Sequence, residues 1–258
     1  MMRTNERYEP PAYAVDAIQS AATELSPSIS KVATWYDHYV KKQSTRIAHD
    51  LHWVETVVKP QGLIVDAGAA PYLLTLALKQ KGYDVEGLDV EPDRFAEPIK
   101  QTGLTVRRCD IDNDAFPYAD ETVDVVLLNE VFEHLRINPV GTMREIFRVL
   151  RPGGRLMLST PNGLSLNRLA ILLTKGTPGP NIYKEYSKLT EIGHMGHVRE
   201  YAPREVEDLI EKIGFKTSHR IRRGSYYHLR PGLTGRIADG ICMALPPLRQ
   251  HFALIAVK

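Results

Sequence analysis

The 258-residue sequence predicts an α/β domain built on a mostly parallel sheet with helices on both faces. Three observations predict it. From residue 62 onward, short apolar runs alternate with helix-patterned segments. The run Val125–Leu128 is apolar without alternation, as expected for a central strand buried on both sides. The first apolar run passes through a small-residue turn, Gly68–Ala70, directly into a helical pattern.

Residues 1 to 30 mix Pro, Ser and charge without a long period and read as a loose tail. The stretch "ISKVATWYDHYVKKQSTRIAHDLHWVETVV" carries apolar residues at helical spacing, with Ser30 available as an N-cap, and predicts one or two helices. Residues 1–58 are therefore expected to form a tail and a helical cap. Strands are expected at "LIVDAG", "DVEGLDV", "LTVRRC", "VDVVLL" and "RLMLST", with helices at "PYLLTLALKQKG" and "PVGTMREIFRVLRPGG". The pattern loosens over 163–200, then resumes with a helix over 203–213, a strand over 215–222 and a last strand "HFALIAV".

Composition excludes several classes. With 43% hydrophobic and 25% charged residues, the chain is neither disordered, fibrous nor disulfide-rich. Cys109 and Cys242 are too few and too far apart for a disulfide framework or a cysteine zinc site, so a reducing cytoplasm is the expected compartment. No stretch is apolar for the roughly 18 residues of a membrane span. A net charge of +2 gives no global attraction for nucleic acid, yet seven Lys/Arg and no Asp or Glu lie between Lys212 and Arg236.

The loop after the first run has Gly68 where the backbone must turn and Pro71 suited to a first helical position. Only Gly68 of a G-x-G-x-x-G set is present, which argues against a pyrophosphate cradle. Asp89 ends the next run, twenty-three residues beyond Asp66, where a carboxylate can bind both hydroxyls of a ribose. A nucleoside-containing cofactor is expected. After the central strand comes "NEVFEHL". Glu130, Glu133 and His134 stand at i, i+3 and i+4, and converge on one side if a helix begins at the strand end. Their residue types allow a helix-terminus electrostatic role or general-base catalysis at the edge where doubly wound sheets bind ligands.

Taken in order, "VDAGAAPYLLTLALKQKGYDVEGLDVEPDRF", "RCDIDNDAFPYADETVDVVLLNEVFEHL" and "EIFRVLRPGGRLMLSTPN" resemble a class I S-adenosylmethionine-dependent methyltransferase over residues 60 to 165. The resemblance implies a Rossmann-like, seven-stranded mixed sheet whose last strand inserts antiparallel. It implies a methyltransferase domain over 59–258 with a substrate-recognition insertion over about 163–200, while composition marks a basic and apolar C-terminal segment over 212–248. It also implies S-adenosyl-L-methionine as cofactor, with Asp66 and Gly68 at its methionine end, Asp89 at the ribose, and Asp110 and Ile111 at the adenine. Ala69, Val90 and Asn129 complete the implied cofactor set. The family pattern D-x-G-x-G-x-G is broken here by Ala70 and by Tyr72, whose ring must fold outward or pack over the site. Arg46 resembles an arginine that reaches the cofactor carboxylate in quinone-biosynthesis relatives, and otherwise reads as a solvated helix charge.

The pattern E-x-x-E-H is similar to one with which small-RNA 2′-O-methyltransferases and ubiquinone-type O-methyltransferases hold a divalent ion. By that resemblance Glu130, Glu133, His134 and the downstream His197, in "GHMGHVREYAPREVEDLI", are candidate ligands as well as candidate catalytic residues; His194 lies nearby. Such a mixed oxygen and nitrogen set suits magnesium, manganese, iron or zinc. An ion there would favour a vicinal diol or catechol acceptor. The C-terminal "KTSHRIRRGSYYHLRPGLTGR", with Tyr226 and Tyr227, suits phosphate, a membrane surface or a solvated strand face, and "IADGICMALPPL" is long enough to lie on lipid. The expected activity is O-methylation of a small hydroxylated acceptor: a sugar, a lipid-linked saccharide, or a quinone-like or polyketide-like compound. Peripheral membrane contact is part of this expectation. The alternatives are an RNA 2′-O-methyltransferase and a catalytically silent partner protein.

Overall fold

The computed structural model describes residues 1–6, 9–27, 30–177, 179, 181–192, 196–224 and 232–258. His194, Tyr226 and Tyr227, singled out above, lie outside the described residues. In the central strand β5 (Val123–Asn129), Val125 and Leu127 enter one apolar cluster while Val126 and Leu128 enter the other. This is why the run shows no alternation: each face of the sheet has its own core.

The strands in chain order are β1 (Met2–Asn5), β2 (Ile64–Ala67), β3 (Val85–Asp89), β4 (Thr105–Arg108), β5, β6 (Leu150–Pro161), β7 (Lys216–Arg223) and β8 (His251–Val257). They form one sheet in the order β1-β7-β8-β6-β5-β2-β3-β4. Every pairing is parallel except those of β8, which inserts antiparallel between β6 and β7. One face is covered by α1 (Ala12–Glu24), α2 (Ser30–Trp53) and α3 (Leu73–Gln80), the other by α5 (Pro139–Val149) and α8 (Pro203–Ile213). A short α4 (Ala96–Thr102) leads into β4. The segment after β6 holds α6 (Leu166–Lys175) and α7 (Ile182–Ile192), and α9 (Leu233–Ala244) joins β7 to β8. Among the described residues no helix is long and apolar enough to cross a membrane.

The sheet has eight strands rather than the expected seven. The additional one is β1, drawn from residues that read as a loose tail, and it pairs parallel with β7 from Met2↔His219 to Asn5↔Arg222. Its sequence, MRTN, has no apolar alternation because it is a half-solvated edge, so nothing periodic marks it. A second correction concerns residues 130–134. The strand is followed by a single 3₁₀ turn, Phe132–His134, with Glu130 at φ 56°, and no α-helix begins there.

Arg223, the last residue of β7, is fully buried, 0% exposed. Its Nη1 donates to Asp50 Oδ1 (2.6 Å), its Nε to Glu6 Oε2 (3.1 Å) and its Nη2 to the Arg46 carbonyl (3.4 Å). Arg46 in turn pairs with Asp50 (2.9 Å). Trp53 Nε1 donates to Glu6 Oε2 (2.6 Å) and Arg249 Nη1 to the Glu6 carbonyl (2.6 Å). Two guanidiniums and two carboxylates therefore neutralise one another where the tail, α2 and β7 meet. Arg220 is likewise committed, to Glu207 of α8. The basic stretch is thus not a continuous exposed cationic face, because two of its arginines are drawn inward to acids.

Removing one partner from a buried ion network leaves the others uncompensated. Arg223→Ala is expected to lower unfolding free energy by about 3–5 kcal/mol, against less than about 0.5 kcal/mol for the half-buried Arg222→Ala, both read from urea denaturation.

Candidate functional site

The parallel strands all end at one edge, and Ala67, Asp89 and Asn129 stand there side by side. A cavity of about 350 Å³ opens on this edge, with Gly68, Asp89, Ile111, Asn129, Glu130 and His134 in its wall. Trp35 and Tyr39 of α2 close its far side.

The loop after β2 is shaped by Gly68. Its φ is 74°, a left-handed conformation, and a Cβ there would stand 2.5 Å from Val131 Cγ2. Backbone N–H groups of Gly68 and Ala69 donate to the Leu88 carbonyl (2.9 and 3.0 Å), tying the loop to β3. Tyr72, whose orientation the sequence left open, packs inward. It is fully buried and meets Phe95 edge-on at 5.7 Å between ring centroids. The ring fills space beside Gly87 and leaves the cavity open, and α3 starts one residue after it, at Leu73, later than Pro71 had suggested.

Asp89 accepts from the Glu91 N–H on Oδ1 (2.8 Å) and from the Ala70 N–H on Oδ2 (3.4 Å), leaving lone pairs on both oxygens toward the cavity. Burial raises its pKa. Asn129 is the more telling residue. Both of its side-chain polar atoms are buried with no hydrogen-bond partner among the described residues, in the cavity wall. An unmet buried amide costs about 1–3 kcal/mol, so the position is built for a polar ligand. Val90, Asp110 and Ile111 also line the cavity. These groups fit an adenosine-bearing cofactor: a carboxylate for a diol, an apolar side chain for a ring face, and an unmet amide.

Other expected cofactor residues sit behind the wall. Asp66 is buried and accepts from Thr75 Oγ1 (2.7 Å); burial pushes its carboxyl up to about 6 although that hydrogen bond pulls the other way. Arg46 is buried rather than solvated, and donates to the hydroxyl of the cavity residue Tyr39 (3.3 Å) as well as to Asp50. Ala69 lies in the turn behind the lining residues Gly68 and Ala70.

The four acid and imidazole candidates divide in two. Glu133 is 1% exposed, accepts from Thr160 Oγ1 (2.8 Å), and its Oε1 is 3.9 Å from His134 Nε2 and 3.8 Å from His197 Nε2. The rings of His134 and His197 stand edge to face, 5.0 Å apart. One donor atom from each of the three lies within 4.8 Å of the others. Glu130 turns away on its left-handed backbone, with Oε2 3.0 Å from His251 Nδ1 and Oε1 accepting from Ser159 Oγ (3.1 Å). His197 is brought in by backbone bonds: the Val198 N–H donates to the Glu133 carbonyl (2.9 Å), and His134 Nδ1 meets the Gly196 carbonyl (3.2 Å).

Charge follows the geometry. Burial opposes ionisation of both glutamates, but His251 and Arg46 hold Glu130 below the ordinary carboxylate range. Burial and the Glu130 charge together push Glu133 up to about 8, against the pull of His197. Two adjacent carboxyls thus take opposite protonation states. His197 is raised: burial lowers it, yet Glu200 at 3.1 Å from Nδ1 and Glu133 outweigh that. Glu200 is itself held by Arg168. Sequence reading missed Glu200, although it stands three residues after His197; it also missed His251, which arrives from the far end of the chain.

For a divalent ion, ligand distances of about 2.0–2.2 Å allow donor atoms to be up to about 4.3 Å apart, so Glu133, His134 and His197 fit one ion after a small inward shift. Glu130 stands outside that set. Gly68→Ala is expected to destabilise the fold by about 1–3 kcal/mol through the Val131 clash and the strained φ, and adding Val131→Ala to restore the steric part, as measured by thermal unfolding.

Residues 65–158 match the family model described as a methyltransferase domain. An uncharacterized methyltransferase from Mycobacterium sp. (strain KMS) is 33% identical over 112 residues, 43% of each chain, so the match spans less than half of that relative's length. A ubiquinone biosynthesis O-methyltransferase from Pseudomonas entomophila is 26% identical over 68% of this chain and 80% of its own. Among solved structures, a SAM-dependent methyltransferase from Archaeoglobus fulgidus superposes with TM-score 0.61 at 16% identity, covering 87% of this chain and 99% of that one. One from Aquifex aeolicus gives 0.51 at 17% identity, covering 92% and 97%. Residues 65–158 thus match a methyltransferase domain, and the fold of the chain is that of SAM-dependent methyltransferases of known structure.

Proposed function

We propose that this chain transfers a methyl group to an oxygen of a small hydroxylated acceptor, with a vicinal diol or catechol as the preferred class in a sugar-, quinone- or polyketide-like molecule. The observation that carries the reading is the continuity of the cavity. Its wall includes Asp89 and the unpartnered amide of Asn129, and it reaches His134, beside the buried Glu133 and the half-buried His197. The ubiquinone O-methyltransferase relative supports oxygen as the accepting atom.

S-adenosylmethionine, when bound, supplies an electrophilic methyl carbon on a sulfonium. The residues that would hold it are Asp89 at the ribose hydroxyls, Ile111 and Asp110 at the base, and Gly68 and Asn129 near the methionine portion. Glu130, kept anionic by His251 and Arg46, sets a negative field on a site built for a cation. Methylation of oxygen then needs alignment and removal of one proton. Glu133 and His197 are the proton acceptors. Glu200 fixes the His197 ring through Nδ1, which leaves Nε2 facing Glu133. Arg168 holds Glu200 in place.

A second reading is favoured by the three converging donors: Glu133, His134 and His197 hold a divalent ion that acidifies the acceptor hydroxyl. The RNA reading loses support because Arg220 and Arg223 are committed to internal acids.

Calorimetric titration should give binding of S-adenosylmethionine, weakened about tenfold to a hundredfold by Asp89→Ala; absence of binding by the parent protein leaves the silent-partner reading. Against a catechol acceptor, Glu133→Gln is expected to lower kcat by about 10²–10⁴ while changing cofactor affinity little. A base works deprotonated, so the parent kcat should rise with pH through about 8, a limb absent in the variant. A carboxyl with a raised folded pKa stabilises most below its unfolded value of about 4.3 and loses that contribution as pH climbs toward the folded value. Glu133→Gln should therefore raise Tm relative to the parent at pH 9 more than at pH 5. Loss of activity on chelation, restored by one divalent metal, would select the second reading.

A further inference from the structure

The helices that flank the sheet's ligand edge carry their apolar side chains outward. In α9, Leu233, Ile237 and Ile241 recur every four residues on one stripe and are 74%, 54% and 37% exposed, while Gly235 and Asp239 face inward. The amphipathic order is inverted relative to a helix that packs on its own core. Helix α6 buries none of its residues, and Leu173 is 85% exposed; on α7, Tyr183 is 84% exposed. These helices belong to one region. Asn162, a few residues before α6, donates from Nδ2 to the carbonyls of Pro247 (3.0 Å) and Arg249 (2.8 Å), just past α9.

Exposed apolar side chains concentrated on neighbouring helices in this way mark an interaction face. Its charges specify the partner. The exposed cations Lys175, Lys184 and Arg236 border the apolar residues, α6 has no acid, the one acid of α9 is the inward Asp239, and of the two acids of α7, Glu185 and Glu191, the first is paired with Lys188. Apolar side chains rimmed by cations match the boundary between acyl chains and anionic headgroups. At twelve residues α9 is too short to span a bilayer and long enough to lie along one.

We propose that α6, α7 and α9 form a face that docks this protein on an anionic lipid bilayer, with the cofactor cavity opening beside the lipid. The face is independent of the methyl-transfer reading, since none of its residues lines the cavity.

The test is co-flotation of the full chain with phosphatidylcholine vesicles, with and without phosphatidylglycerol. The expected result is binding to the mixed vesicles that weakens with salt, and a drop of about tenfold or more in partitioning for the pair Leu233→Asp and Ile237→Asp, and for Leu173→Asp with Tyr183→Asp. These side chains are exposed, so Tm and S-adenosylmethionine affinity stay at parent values, which separates failure of this face from failure of the cofactor site. The proposal is overturned if the parent ignores anionic vesicles, if the variants bind them as the parent does, or if sedimentation shows a self-associated parent that these substitutions disperse.

Discussion

Burial of Arg223 is the constraint on which the architecture turns. A guanidinium with no solvent exposure needs acids around it, and it draws them from two distant segments: Glu6 from the tail and Asp50 from α2. Meeting that need docks β1 on the sheet edge and fixes the angle of α2 against β7. Because Asp50 is shared with Arg46, the same network holds Arg46 beside Tyr39 and near Glu130. The electrostatics of the cavity are thus set by residues that never touch it.

From there the protonation pattern follows. With Arg46 and His251 stabilising one anion, Glu130 keeps its charge, and its neighbour Glu133 cannot comfortably carry another in the same dry region. Glu133 and His197 stand with Oε1 and Nε2 3.8 Å apart, and on the proposed function an acceptor hydroxyl or a metal ion would meet this pair. One route removes the hydroxyl's proton after Glu133 has lost its own; the other displaces that proton by coordination. Both readings draw on Glu133 and His197, and the metal reading adds His134, which is why residue types alone did not separate them.

Much of the fold was legible. The unalternating run of β5, the strand and helix alternation and the final apolar strand each reflect local burial, and local burial leaves a period in the sequence. β1 left none, because an edge strand of four polar and apolar residues is held by backbone pairing and by the ion pair of the adjacent Glu6. Asp89 was legible as the carboxylate that ends β3 and lines the cavity, because its distance from the first strand is a property of the βαβ unit. The expected helix after Glu130 was not there. Glu130 takes a left-handed backbone and the turn that follows, Phe132–His134, is 3₁₀.

By itself the sequence determined the sheet, the cofactor class and the list of chemically able side chains, since these depend on periodicity and short-range spacing. Tertiary structure decided which of them lie together. It moved Glu130 to His251, joined His197 to Glu133 and assigned Glu200 to orient it. It also turned the basic stretch inward, through Arg220 and Arg223, and left α9 with its apolar stripe outside. The physical reason is that pairing of buried charges is settled by distance in space and by shared desolvation, and β8, inserted antiparallel beside β6, brings together residues that no sequence window contains.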